Sequence, residues 1–146
     1  MGLPMRITAL LVLLSSSGCG SLFVGEFRGL VSTVLTCSER SAEAASANVT
    51  WRLEGDPEVV SVATGDWCGQ LQADAKNQVA SLRQKTCPTH TKDGVGMTLT
   101  IVDGTLTALD GVLRVLIRLN ADYVASTGNI SGKCSASLSG DLYEVR

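Results

Sequence analysis

From residue 23 onward, apolar and polar residues alternate along most of the chain, the two-residue period of β-strands. Phe23, Gly25, Phe27, Gly29, Val31, Thr33 and Leu35 fall on one face of a long first strand. The stretch SERSAEAASA, residues 38–47, reads as a polar loop. Val49, Trp51 and Leu53 then alternate with Thr50, Arg52 and Glu54, which predicts a half-buried strand. EGDP carries turn chemistry, and EVVSVA is a further short strand.

Two Asp-Gly pairs predict hairpins. Asp103-Gly104, inside MTLTIVDGTLTAL, is a favoured pair for a two-residue type I′ turn. A turn there sets Ile101 against Leu106 and Leu99 against Ala108, with Thr98, Thr100, Thr105 and Thr107 on the other face. A second turn at Asp110-Gly111 sets Leu113 beside Ala108 and Val115 beside Leu106. Ile117 and Leu119 continue that face, and Arg114 and Arg118 point to solvent. Together these turns predict a three-stranded meander.

The segment CGQLQADAKNQVASLRQKTC admits two readings. Leu71, Ala75, Val79 and Leu82 have helical spacing among good helix formers. A turn at Asn77-Gln78 instead opposes Ala75 to Ala80, Ala73 to Leu82 and Cys68 to Cys87. The cysteine coincidence favours the hairpin. A bridge closing this loop of about 20 residues would contribute about 3 kcal/mol. Cys37 ends the first strand and Cys134 lies in the last, so pairing them would tie the two ends of the domain. Four cysteines allow three connectivities, of which this is one. The expected fold is all-β, an antiparallel meander of about eight or nine strands forming a sandwich or small barrel.

The chain's first residues depart from this alternation. Ile7–Leu14 is an unbroken oily run, too short for a membrane span of about 20 residues, preceded by Arg6 and followed by small residues. That order describes a secretory signal peptide over residues 1–18, leaving a single domain over residues 19–146. Ser16-Ser17-Gly18-Cys19 resembles the lipobox of bacterial lipoproteins, with Ser16 where that family usually has Leu. The resemblance implies that Cys19 becomes the mature N-terminus and carries lipid, as palmitate and diacylglycerol. It also implies an outer-membrane address, since Gly20 stands where Asp would favour the inner membrane. The pattern Cys68-x2-Leu71-x-Ala73…Ala80-x-Leu82-x4-Cys87 is similar to small bacterial lipoproteins too, and no activity comes with that resemblance. Cysteine parity agrees with it. The chain has five cysteines, and lipid on Cys19 leaves four for two disulfides in an oxidising compartment.

Composition narrows the function. The whole chain carries a net charge of −2, and loss of Arg6 with the signal segment makes it −3, with no basic patch for nucleic acid. His90, the one histidine, sits in the loop-like CPTHTKDG without a second histidine or an acidic cluster to make a base or metal site. No G-x-S-x-G occurs, and Gly94 and Gly96 lack the Lys and Ser or Thr of a phosphate loop. Asp56, Asp103 and Asp110 read as turn formers. Asn48-Val49-Thr50 and Asn129-Ile130-Ser131 are sequons, and Trp51 and Trp67 read as strand core. No catalytic residue, metal or cofactor is expected. The leading expectation is an envelope protein held to the membrane through its lipid anchor, binding or bracing a protein partner. A lipocalin-like carrier would bind a small apolar ligand among Leu99, Ile101, Leu113, Val115 and Ile117. An enzyme inhibitor would present residues 38–47 or 88–95.

Overall fold

The computed structural model describes residues 22–38, 42–125, 127–128 and 131–146. The signal segment, Cys19 and Asn129 lie outside these residues. Ten strands follow one another: β1 (Gly25–Cys37), β2 (Glu43–Gly55), β3 (Val59–Ala63), β4 (Gln70–Lys76) and β5 (Val79–Leu82). After them come β6 (Lys85–Thr86), β7 (His90–Lys92), β8 (Val95–Leu109), β9 (Val112–Ala125) and β10 (Ser131–Glu144), with no helix among the described residues. The fold is all-β, as the alternation predicts.

Neighbouring strands run β5-β4-β3-β2-β1-β10-β9-β8, every pair antiparallel. Residues 79–81 of β5 also pair with residues 105–107 of β8, which joins the ends of that path into a ring. β6 and β7 are short additions along β8. The ring closes only over the half of the molecule nearest the start of β1, here called the lower half. Its interior is filled by the inward residue of each strand, as small barrels require. Leu53, Val60, Leu71, Leu106, Leu113 and Ile117 are among side chains with essentially no exposure. They belong to one core cluster with Phe27, Trp51 and Leu142.

The segment 68–87 is the hairpin and not the helix. β4 and β5 pair Ala73 with Leu82 and Ala75 with Ala80, and Asn77 takes the left-handed conformation that the turn needs (φ 57°). In this register Leu71, Ala73, Ala80 and Leu82 are all buried, whereas a helix would bury one stripe and leave β3 paired with β2 alone.

The expected hairpin at Asp103-Gly104 does not form. β8 runs straight through both residues and pairs with β9 along its whole length, with a register shift between Ile101 and Asp103. The physical reason lies in spacing. Leu99 and Ile101 share a face, and so do Leu106 and Ala108, but Ile101 and Leu106 are an odd number of residues apart. Either a two-residue turn or a one-residue bulge restores a common face. The bulge wins because it lets the upper part of β8 meet residues 119–125 of β9. Gly104 then serves close approach. A Cβ there would come within 2.9 Å of Leu82 and 3.1 Å of Ile117, a use of strand glycine distinct from turning. The turn at Asp110-Gly111 does form, with both residues left-handed (φ 51° and 77°). Leu113 faces Ala108 and Val115 faces Leu106.

Candidate binding face

Above the closed half the sheet opens. Residues 43–51 of β2 pair with β1 only, because β3 reaches no further than residues 52–55. Within the segment expected as a polar loop, residues 43–47 are instead an exposed strand. The register explains this: β1 is long enough to offer partners as far as Leu35. Small residues (Ala44, Ala45, Ser46, Ala47) line this margin, with neither Pro nor Lys to block pairing. Among the described residues its outward backbone groups have no strand partner, which makes it a template for an added strand.

The opposite margin is built from β6 and β7. Pro88 interrupts them, since it has no N–H to donate. His90, read from sequence as a loop residue, lies in β7 opposite Met97. β7 and β8 form a hairpin over Asp93-Gly94, both left-handed (φ 51° and 75°). This is a third Asp-Gly pair, and it carried the same signal as the other two.

Between the margins stands the loop 64–69, which joins β3 to β4. Thr64 ties it: the hydroxyl donates to the Gly69 carbonyl at 2.8 Å and accepts from the Cys68 amide at 3.1 Å. A disulfide joins Cys68 to Cys87 beside β6. Lys85 Nζ donates to the carbonyls of Cys68 (3.1 Å) and Gln70. His90 Nε2 lies 3.3 Å from the Trp67 carbonyl and donates to it when that nitrogen carries the proton. The loop is thus held on both flanks, and it holds Trp67 stacked on Trp51 with centroids 5.6 Å apart and planes 19° apart.

Trp51 is 1% exposed, and its Nε1–H has no hydrogen-bond partner among the described residues. Buried indole N–H groups usually find an acceptor. The stack and this unpaired donor are the features that sequence reading missed. Alternation predicts that Trp51 is inward, but no local signal says that a loop 16 residues later lays a second indole on it.

The open sheet presents Leu35, Val49 and Leu99, half-buried and packed against the core. Cys37 and Cys134 face each other across β1 and β10 and are joined by a disulfide at the upper end. No protein family, curated protein or solved structure matches the chain.

The structure distributes the other sequence candidates widely. Ile101, Leu113, Val115 and Ile117 lie in the core, each 0–1% exposed, and Leu99 is above them in the open half. Asn48 of the first sequon is exposed on β2. Asp103 is paired with Arg118, Asp141 with Arg114 and Asp74 with Arg83, each through two hydrogen bonds on the outer wall. In every case the arginine hydrogen bonds hold the carboxyl below its ordinary value, against a desolvation push upward. Among the described residues no three His, Cys, Asp or Glu side chains gather as metal ligands. What the open half offers is apolar surface, strand-edge donors and acceptors, and one buried indole N–H.

Proposed function

We propose that the chain is a lipoprotein of the cell envelope, anchored through Cys19, whose β-domain works by binding and not by catalysis. The observation that carries this reading is the pairing of Cys37 with Cys134 and Cys68 with Cys87. It accounts for four of five cysteines and leaves Cys19, in its lipobox-like setting, as the odd one. The open half supports the binding role, with a free strand edge on one margin and a tied aromatic loop in the middle. An extended segment of an envelope partner would add to β2 by main-chain hydrogen bonds.

The test is the intact mass of the protein from a membrane fraction, before and after reduction. The expected mass begins at Cys19, is raised by acyl chains and gains four protons on reduction of the two disulfides. A mass without acyl chains overturns the anchor.

A second reading, carriage of a small apolar ligand, is favoured by the unpaired Trp51 Nε1–H. A ligand with one acceptor would complete that donor and cover Leu35, Val49 and Leu99. Titration with a fluorescent fatty-acid analogue should then change tryptophan emission saturably. A flat titration removes this reading.

A further inference from the structure

The lower end of the ring carries apolar side chains of its own, at the place where the chain emerges. Phe23 is 1% exposed and fixes the start of the described chain into the core. On either side of it Leu22 and Val24 are about half exposed, as are Leu109, just before the Asp110 turn, and Val145. Leu22, Val24, Leu109 and Val112 line a shared depression of about 220 Å³, with Asp110 and Glu144 also on its lining. Cys19 lies three residues before Leu22. Even fully extended, three residues reach only about 10 Å. A thiol carrying lipid must therefore sit close to this end, and no linker lets the domain stand away from the surface.

We propose that the lower end is a second membrane contact: Leu22, Val24, Leu109 and Val145 enter the interfacial zone of a zwitterionic bilayer. The inference rests on the reading of Cys19 as lipidated. The contact sets the ring upright on the membrane and turns the open half, at the far ends of the same strands, toward the surrounding compartment. Asp110 and Glu144 on the lining outnumber Arg146 beside Val145, and Glu26 on β1 is offset by Arg28 at 3.3 Å, so the end is net negative and disfavours an anionic surface. A short tether makes the contact effectively intramolecular, so that modest apolar area suffices once the anchor is in place.

The experiment uses the full-length protein carrying Leu109→Trp, purified from membranes and placed in phosphatidylcholine vesicles with brominated acyl chains. Intact mass is measured on the same sample. The expected result is an acylated mass together with quenching of the introduced indole above the baseline set by Trp51 and Trp67 in the unsubstituted protein. Adding Leu22→Asp and Val24→Asp should abolish that extra quenching, and adding Leu116→Asp, on the outer wall, should not. Replacing part of the lipid with phosphatidylglycerol at low salt should reduce it. Should Leu109→Trp fail to fold, slowed amide exchange of residues 22–27 and 109–112 in vesicles relative to detergent gives the same reading on the unsubstituted protein. An acylated mass with no extra quenching and no slowed exchange overturns the docking while leaving the anchor intact. A mass without acyl chains overturns the anchor and the docking together.

Discussion

The two halves of this molecule are made from the same long strands, yet they are stabilised differently. In the lower half each strand has two neighbours and the inward side chains meet across a ring. Leu113, Ile117 and Leu53 lose essentially all exposure there. In the upper half β2 has one neighbour, and Leu35, Val49 and Leu99 remain half-buried. The lower half is held by apolar burial, which is cooperative and non-directional. The upper half relies on covalent ties: Cys37–Cys134 at its top and Cys68–Cys87 at its side. Burial therefore sets the shape of one half, whereas cross-links compensate for missing neighbours in the other and leave its strand edge free.

The comparison is tested most severely by removing the cross-links. Cys37 and Cys134 are separated by 97 residues and Cys68 and Cys87 by 19. Loop-closure entropy then assigns about 4–5 kcal/mol to the first and about 3 kcal/mol to the second. Urea unfolding of C37S/C134S and of C68S/C87S should show the larger loss in the first. If the order reverses, or both losses stay below about 1 kcal/mol, the upper half does not depend on its disulfides.

Equal truncations in the two halves should give unequal losses. Ile117→Ala removes a fully buried side chain from the ring and should lower stability by about 3 kcal/mol. Leu35→Ala, in the open half and still partly in solvent, should lower it by about 1 kcal/mol. Matching losses, read from urea midpoints at constant slope, would show that the upper face is packed like a core and would remove the argument for a binding surface.

Much of this division was legible in the chain. The alternation from Phe23 to Leu35, the Asp110-Gly111 turn and the Asn77 hairpin each carry a local signal, and each local signal agrees with the register observed. Asp103-Gly104 misleads because its signal is ambiguous: an odd spacing of apolar residues fits a turn and a bulge equally. The choice is made by residues 119–125 of β9, which need a partner on that side. The exposed strand over residues 43–47 was illegible for a related reason. Its alanines and serines have no alternation to read, and they become strand only because β1 lies beside them. The Trp51–Trp67 stack depends on a loop tied internally by Thr64 and held from elsewhere by Lys85 and His90. Sites assembled from such distant ties leave no pattern in any one stretch.

The smallest expected effect concerns charge, and it too should separate the halves. The three doubly bonded Arg–Asp pairs stand on the wall of the closed ring and at the bulge above it, whereas in the open half Lys133 and Asp122 meet at 4.0 Å through a single contact. Asp74, Asp103 and Asp141 are each held below the ordinary carboxylate value, first by hydrogen bonds from the paired arginine. A carboxyl with a lower pKa in the folded than in the unfolded chain favours folding above the unfolded value of about 4. That contribution is lost as pH falls from about 4 through the folded values. All three groups are exposed to solvent, so the loss is modest and falls further in salt. Urea midpoints of the unsubstituted protein should therefore drop slightly between pH 6 and pH 3, and the drop should shrink in Asp103→Asn. If Asp103→Asn loses as much as the unsubstituted protein, the Arg118 pair adds nothing to stability at the bulge. The bulge that places Asp103 opposite Arg118 is then held by strand pairing and by the close packing at Gly104 alone.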